Sequence, residues 1–285
     1  MFDRKKIKEL ILTSLVADAY SLGAHWVYDE KQLKENNLNW EELNNPLSVW
    51  HKDKKAGEFT HYGDQTYWLY EFLKDKDTFD ENEYLKYWES KISSYDGYID
   101  GATRETLENI KNNVVPSGSS STDLSIVGRI TPLLLVSKTK EEFISNVEKL
   151  VKLTHNSQKA ITASKFFAKV LLESLEGKEI QTILLELKDQ SDSNIQGLIS
   201  RGIASKDEDT FKIIREFGPA CDVDEGFSGI IHLLSKYTNL KQMLTCNAKA
   251  GGDSSARGMI ASVILMANQS ISQIPQSWLA IKVVI

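Results

Sequence analysis

The chain has 285 residues, 41% of them hydrophobic and 26% charged, which is typical of a soluble globular protein with a substantial core. The formal net charge of −6 argues against a nucleic-acid-binding surface, because phosphate binding requires clustered Lys and Arg. No apolar run approaches the roughly 20 residues needed to cross a membrane, and the first residues lack the apolar core of a signal peptide. We therefore expect a cytoplasmic protein that binds neither nucleic acid nor membrane.

Apolar residues recur at helical spacing from the start of the chain, beginning with Ile7, Leu10, Ile11 and Leu15. In chain order, further helices are predicted after the potential caps Asp64, Asp80 and Thr139, over 126–136, and over 158–176, 182–189, 207–217, 226–236, 240–248, 256–268 and 276–282. Alternating strand patterns are rare and no linker divides the chain. The sequence therefore predicts one compact all-α domain over residues 1–285, with ten or more helices.

Two glycine-aspartate corners lie far apart in the sequence, and each precedes an apolar segment that we predict to be a helix. Asp64 follows a glycine and is followed by Gln65, while Asp253 follows two glycines and is followed by Ser254 and Ser255. Carboxylate, amide and hydroxyl oxygens are the ligands that Mg²⁺ and Mn²⁺ prefer. Asp64, Gln65, Asp253 and Ser255 are therefore candidate metal ligands, although aspartate and serine at helix starts are also ordinary N-caps.

Other polar residues cluster at predicted helix ends. His25 is a candidate general acid or base near neutral pH, although a histidine beside a tryptophan also suits a hydrogen-bonded core position. Asp18 is expected to tie its helix to a neighbouring backbone. Ser119, Ser120 and Ser121 suit either a phosphate-binding corner or a mobile loop. Arg257 suits either a bidentate phosphate contact or a surface ion pair.

Several common catalytic motifs are absent. The chain has no Gly-x-Ser-x-Gly elbow, no phosphate-binding Gly-x-x-x-x-Gly-Lys loop and no Gly-x-Gly-x-x-Gly turn. No histidine is followed by aspartate, and there is no Asp-Asp pair. Cys221 and Cys246 are isolated, so neither a disulfide framework nor a structural zinc site is expected.

The ordered set of corners resembles the ADP-ribosylglycohydrolase family, which includes the dinitrogenase-reductase-activating glycohydrolases. A GDALG-like helix resembles residues 17–21, and a TDDT-like corner resembles 63–66. Further along, a DGxT-like element resembles 100–103, an Arg-x-x-Pro-Leu pattern resembles 129–133, and a Thr-His pair resembles 154–155. A GGDTDT-G-like corner resembles 251–258, and a Pro-x-x-Trp-like close resembles 275–278. The match is collinear over roughly residues 10 to 280.

The resemblance implies a compact helical bundle that cleaves ADP-ribosyl bonds with two Mg²⁺ or Mn²⁺ ions held between two aspartate-rich corners. With a hydrolase of this type, the candidate catalytic residues are Asp64 and Asp253, with His25 or Asp123 as the proton-transfer group. The candidate substrate-binding residues are Ser119, Ser120, Ser121, His155, Ser254 and Arg257. The candidate metal ligands are Asp64, Gln65, Asp253 and Ser255.

The chain departs from the family pattern at the metal corners. Gln65 and Ser255 stand at positions that resemble the second aspartate of each corner, and His25 stands where the family usually has a glutamate. Two divalent ions placed close together need several anionic oxygens to offset their repulsion. One Mg²⁺ or Mn²⁺ ion is therefore expected rather than two.

The sequence thus predicts a divergent metal-assisted hydrolase of ADP-ribosyl or related N- or O-glycosidic bonds. Its substrate would be an ADP-ribosylated protein or a small ADP-ribose-type molecule. The alternative from a different class is a non-catalytic protein on the same fold that binds ADP-ribose or a nucleotide, or that serves a structural role, as do the lens crystallins with a similar fold. A third alternative is a hydrolase whose substrate is not ADP-ribose. The oligomeric state is left open.

Overall fold

The structure, a computed structural model, describes residues 2–285 as an all-α domain. Within that range there are no strands, which confirms the predicted fold class. The α-helices are α1 Arg4–Ser21, α2 Glu30–Glu35, α3 His61–Leu73, α4 Glu81–Ser93, α5 Gly101–Lys111, α6 Ser125–Gly128, α7 Lys140–Thr154, α8 Gln158–Leu175, α9 Ile180–Asp189, α10 Ser193–Ala204, α11 Thr210–Phe217, α12 Val223–Lys236, α13 Leu240–Lys249 and α14 Ser254–Met266. Short 3₁₀ helices lie at Val49–His51, Thr131–Leu135, Ile271–Gln273 and Gln276–Leu279.

Helices α1 and α14 form the central pair of the bundle. Every residue of α14 is buried, and the second half of α1, from Thr13 to Ser21, is buried as well. A helix with buried residues on all sides belongs to the interior rather than the surface. Helices α3, α12 and α13 pack around this pair, while α7, α9 and α10 lie farther out. The central pair therefore carries residues of both ends of the chain into the core.

Several boundaries differ from the sequence-based predictions. Helix α3 begins at His61 and is capped by Thr60, four residues before the predicted cap Asp64. The predicted helix over 126–136 is divided into α6 and a 3₁₀ helix that contains Pro132 in its first turn, because proline cannot supply the backbone donor that an uninterrupted helix needs. The segment 276–282 holds only four residues of 3₁₀ helix. Helices α2 and α10 were not predicted.

Three isolated β-bridges join loops that lie at helix ends. They join Val27 to Gly252, Ser119 to His155, and Asp123 to Asp222. At the first of them, the Trp26 amide donates to the Gly252 carbonyl at 2.7 Å, and the Gly252 amide donates to the Val27 carbonyl at 2.8 Å. The loop after α1 is thereby fixed to the turn before α14.

Within residues 2–285, none of the helices combines the length and the apolar character that crossing a membrane would require.

Gly252 is expected to be indispensable for the turn before α14. Its φ is +57°, and an added Cβ would lie 2.2 Å from the Pro219 carbonyl oxygen. Gly177 also has a positive φ, of +85°, but it faces open space, so Gly177→Ala is the matched control. We predict that Gly177→Ala lowers the unfolding free energy by about 1 kcal/mol, and that Gly252→Ala lowers it by about 2 kcal/mol more because of the clash. Urea denaturation of both variants measures the difference, and equal losses would contradict the steric argument.

Candidate active site

The buried carboxylate of Asp18 connects three helices. Asp18 lies near the end of α1, and its side chain is fully buried. Its Oδ2 accepts from the Thr60 amide at 2.8 Å, and its Oδ1 accepts from the Thr60 hydroxyl at 2.7 Å and from the Ser255 hydroxyl. Thr60 caps α3 and Ser255 lies in the first turn of α14. The starts of α3 and α14 are therefore held beside the end of α1.

Burial raises the pKa of Asp18 to about 6, although the hydrogen bonds from Ser255 and Thr60 oppose the rise. Gly63 allows the close approach of α3, since an added Cβ there would lie 2.3 Å from Asp18 Oδ2. The glycine in the first of the two predicted corners therefore makes room for this carboxylate.

The starts of α3 and α14 meet through Tyr62 and Asp253. The Tyr62 hydroxyl donates to Asp253 Oδ2 at 2.8 Å, and the Trp26 indole N–H donates to the same oxygen at 3.3 Å. Asp253 Oδ1 caps α14 through the Ala256 amide at 3.2 Å and lies 3.5 Å from His25 Nδ1. Asp253 is thus an N-cap, as one of its two interpretations predicted, and it also lies at the centre of a polar cluster.

Asp123 lies next to Asp253 because two loops pair. The Leu124 amide donates to the Cys221 carbonyl at 2.8 Å, and the Asp253 amide donates to the Pro219 carbonyl at 2.8 Å. Donor atoms of Asp123, Cys221 and Asp253 all lie within 4.8 Å of one another. Segment 219–221 therefore joins the turn that carries Asp123 to the start of α14.

The ionisation of this group is set by burial and by the proximity of its acids. Burial and the charge of Asp253 raise the pKa of Asp123 to about 7. Burial also raises the pKa of the Cys221 thiol well above its ordinary value. Asp123 is therefore able to hold a proton close to neutral pH.

The hydrogen-bond partners of Asp64 are residues other than Asp253. Asp64 Oδ2 accepts from the Lys54 ammonium at 2.6 Å and from the Tyr95 hydroxyl at 2.5 Å. Gln65 Oε1 accepts from the buried Trp88 indole N–H at 2.8 Å. The two polar side chains of the first corner thus have partners outside the group around Asp253.

The residues of α3 that face the group around Asp253 precede Asp64. Thr60 caps the helix by accepting from the Tyr62 amide at 3.1 Å, so a threonine-first corner begins at Thr60. The two positions after this threonine are His61 and Tyr62, where a TDDT-like corner has aspartates. The sequence-based comparison placed this corner three residues later, at 63–66, because Asp64 is the first aspartate after Thr60.

A histidine cluster, formed by His25, His51 and His61, lies beside Asp253. Ring centroids are 5.1 Å apart for His25 and His51 and 5.7 Å apart for His51 and His61. All three side chains are buried, and Trp26 and Tyr98 pack against them. Burial lowers the pKa of His25 well below its ordinary value and that of His51 to about 2, so the His25 and His51 rings are neutral. Sequence reasoning missed His51 and His61, whose positions follow no ligand spacing.

A surface pocket of about 300 Å³ lies beside the histidine cluster. Its lining includes His51, Tyr98, Trp50 and Lys54. Trp50 is 57% exposed, and its ring stands edge-on to that of Tyr98 at 5.5 Å. His51 is therefore the member of the cluster that borders solvent-accessible space.

The predicted phosphate-binding serines are mostly engaged by the protein itself. The Ser119 hydroxyl donates to the Thr154 carbonyl at 2.8 Å, and the Ser120 amide donates to Glu105 Oε1 at 2.7 Å. Ser119 is buried, whereas Ser120 is exposed and Ser121 is half-buried. Of the three, Ser120 and Ser121 retain access to solvent.

His155 is buried beside these serines. Its Nδ1 lies 3.0 Å from the Thr154 hydroxyl, while its Nε2 has no partner among residues 2–285. Burial lowers its pKa to about 3, with the charge of Arg129 acting in the same direction, so the ring is neutral.

The Arg257 side chain is held inside the protein by internal hydrogen bonds. Its guanidinium is fully buried and donates to Asn247 Oδ1 at 3.0 Å, to the Pro219 carbonyl at 2.8 Å and to the Gly251 carbonyl at 2.6 Å. These bonds hold the turn before α14, so neither a surface ion pair nor a phosphate contact describes its position. The neighbouring Ser254 is also buried, and its hydroxyl is unpartnered within the described chain.

Comparison with known proteins identifies relatives of the whole fold. A profile of the family described as ADP-ribosylglycohydrolase matches residues 2–281. Crystallin J1A of Tripedalia cystophora is 23% identical over 97% of this chain and 92% of that protein, and crystallin J1B of the same organism is 22% identical with the same coverage. A solved ADP-ribosylglycohydrolase-related protein complex shares the fold with a TM-score of 0.68 and 16% identity, over 96% of this chain and 92% of the other.

Asp18 is expected to make stability depend on pH. Its folded-state pKa of about 6 lies above the ordinary 3.8, so the folded protein binds the proton more tightly than the unfolded chain. The stabilisation from this proton is therefore present at pH 4 and is lost as pH rises through about 6, a change of about 3 kcal/mol. We predict that Asp18→Asn gains stability relative to the parent protein by that amount between pH 4 and pH 7. Urea denaturation across this range tests it, and a difference independent of pH would contradict it.

Proposed function

Because the chain belongs to the ADP-ribosylglycohydrolase family, we propose that it hydrolyses ADP-ribosyl or related N- or O-glycosidic bonds. The substrate would be an ADP-ribosylated protein or a small ADP-ribose-type molecule. The observation that carries the proposal is the proximity of the Asp123 and Asp253 carboxylates, with Cys221 beside them. Glycosidic cleavage passes through an oxocarbenium-like state, and two carboxyl groups on either side of the bond suit that reaction.

The two carboxyl groups have different environments, which suits different roles. Asp123 has a pKa raised to about 7 and is half-buried, so it can deliver a proton to the leaving group. Asp253 accepts hydrogen bonds from Tyr62 and Trp26, which hold its Oδ2 in a fixed position. We assign Asp123 as the general acid and Asp253 as the carboxylate that stabilises the developing positive charge. His25, 3.5 Å from Asp253, is the next candidate for proton transfer.

The pair of Mg²⁺ or Mn²⁺ ions implied by the family resemblance does not fit these residues. Asp64 is occupied by Lys54 and Tyr95, and the Ser255 hydroxyl donates to Asp18. His61 and Tyr62 follow the capping Thr60 in place of carboxylates. Hard divalent ions prefer oxygen ligands, and two of them need more anionic oxygens than Asp123 and Asp253 provide. These two residues allow at most one such ion, completed by water, which would polarise the substrate when bound.

A second candidate function is supported by the relatives. Two of the relatives are crystallins, and the polar residues of the corner at Asp64 are engaged by internal hydrogen bonds. A protein that binds ADP-ribose without cleaving it, or that serves a structural role, is consistent with both observations. Calorimetric titration with ADP-ribose separates a binding protein from an inert one.

Release of free ADP-ribose from arginine- and serine-modified peptides tests the proposed hydrolase. We predict that Asp123→Asn and Asp253→Asn each lower kcat by at least about 100-fold, because loss of a positioned proton donor or of charge stabilisation removes that much rate. Asp224→Asn is the control, since this carboxylate is half-exposed and pairs with Lys159 on the surface. Parallel assays with Mg²⁺, Mn²⁺ and EDTA establish whether one ion is needed.

Two outcomes would contradict the assignment. Loss of activity in Asp64→Asn with full activity in Asp123→Asn would move the site to the corner at Asp64. Tight binding of ADP-ribose without cleavage of any modified peptide would favour the non-catalytic candidate.

A further inference from the structure

The histidine cluster differs from His232 in its hydrogen bonds. His232 is a structural histidine, because its Nδ1 lies 2.9 Å from the Ser205 hydroxyl and its Nε2 lies 2.9 Å from the Thr210 hydroxyl. The histidine cluster differs, since His25 Nε2, both nitrogens of His51 and Nδ1 of His61 are buried without a hydrogen-bond partner among residues 2–285. Buried nitrogen atoms without partners are costly and rare in native proteins. Their concentration in one place points to a ligand.

Two carboxylates lie where they can orient the cluster. Asp253 Oδ1 lies 3.5 Å from His25 Nδ1, and Asp100 Oδ2 lies 3.2 Å from His61 Nε2. His25 Nδ1 also lies 3.4 Å from the Ser255 amide. In the His25 and His61 rings, a carboxylate lies near one nitrogen, and the other nitrogen has no hydrogen-bond partner within the described chain. Histidines that bind metal ions usually have this arrangement, in which a carboxylate fixes the tautomer and the direction of the ring.

His51 lies close enough to each of the other two rings to share an ion with it. Because a zinc–nitrogen bond is about 2.0 Å long, the centres of two imidazoles on one ion are separated by at most about 6 Å. The observed separations of 5.1 Å and 5.7 Å lie inside this limit. The three histidines do not offer one nitrogen each within 4.8 Å of one another. Asp123, Cys221 and Asp253, in contrast, each offer one ligand atom within that distance of the other two. An ion would therefore draw the rings together by rotation about their side-chain bonds.

We propose that His25, His51 and His61 bind one zinc-class transition-metal ion, with water as the fourth ligand. Three imidazoles and an open position match the ligand sets of borderline divalent ions such as Zn²⁺ and Co²⁺, and they do not suit Mg²⁺ or Mn²⁺. His51 borders the pocket of about 300 Å³, which gives the ion a route from solvent. This inference does not rest on the proposed hydrolysis, and its failure would leave the assignment of Asp123 and Asp253 intact.

The test is metal binding by the full chain after removal of bound ions with EDTA and dialysis. We expect calorimetry with Zn²⁺ to give one site per chain, and Co²⁺ to give the visible absorption of a four-coordinate ion with nitrogen ligands. Mg²⁺ is expected to give no binding. His51→Ala is expected to weaken Zn²⁺ binding by at least about 100-fold, whereas the control His232→Gln is expected to leave it unchanged.

Cys221→Ser addresses the competing group of Asp123, Cys221 and Asp253. Zinc binding that is lost in Cys221→Ser and retained in His51→Ala would place the ion there and overturn the proposal. Absence of a Zn²⁺ site in the parent protein would overturn it as well. The Co²⁺ spectrum of the parent protein keeps the test decisive if His51→Ala does not fold, because ligation by the Cys221 thiolate would add an intense charge-transfer band that three imidazoles do not give.

Discussion

The carboxylate of Asp18 is the constraint on which the arrangement of the site depends. It is fully buried, and it accepts hydrogen bonds from Thr60 at the start of α3 and from Ser255 in the first turn of α14. A buried carboxylate that loses these donors is strongly destabilised, so the two helix starts are held in one position relative to α1. That position brings Tyr62 into contact with Asp253, and it leaves His25 next to the same carboxylate.

The same constraint explains why the corners depart from a carboxylate-rich pattern. Ser255 donates to Asp18, and an aspartate in its place would bring a second charge against a buried one. His61 and Tyr62 follow the capping Thr60, so the side of the site formed by α3 presents imidazole and phenol groups. The chemistry that we propose there is proton donation by Asp123 and charge stabilisation by Asp253, together with nitrogen ligation by the histidine cluster. A pair of hard oxygen-bound ions does not suit this set.

The sequence predicted the helical class because apolar periodicity is a local property of each segment, as in α8, which was predicted over 158–176 and found at Gln158–Leu175. It also located Asp253 at the start of α14. It took Asp64 as the cap of α3, which was wrong, because Thr60 caps this helix and both residue types suit a helix start. The partners of Asp64, Lys54 and Tyr95, come from separate segments. The histidine cluster could not be predicted from the sequence either, because only tertiary packing brings its three members together.

Amide hydrogen exchange on an Asp18→Ala variant tests this account most directly. If Asp18 holds both helix starts, protection falls together at the Thr60 amide, in the first turn of α3 and in the first turn of α14. Amides of α9, which lies away from this contact, keep their protection. Unchanged exchange at the starts of α3 and α14, or a uniform loss of protection across the whole chain, would contradict the claim that this one carboxylate positions the site.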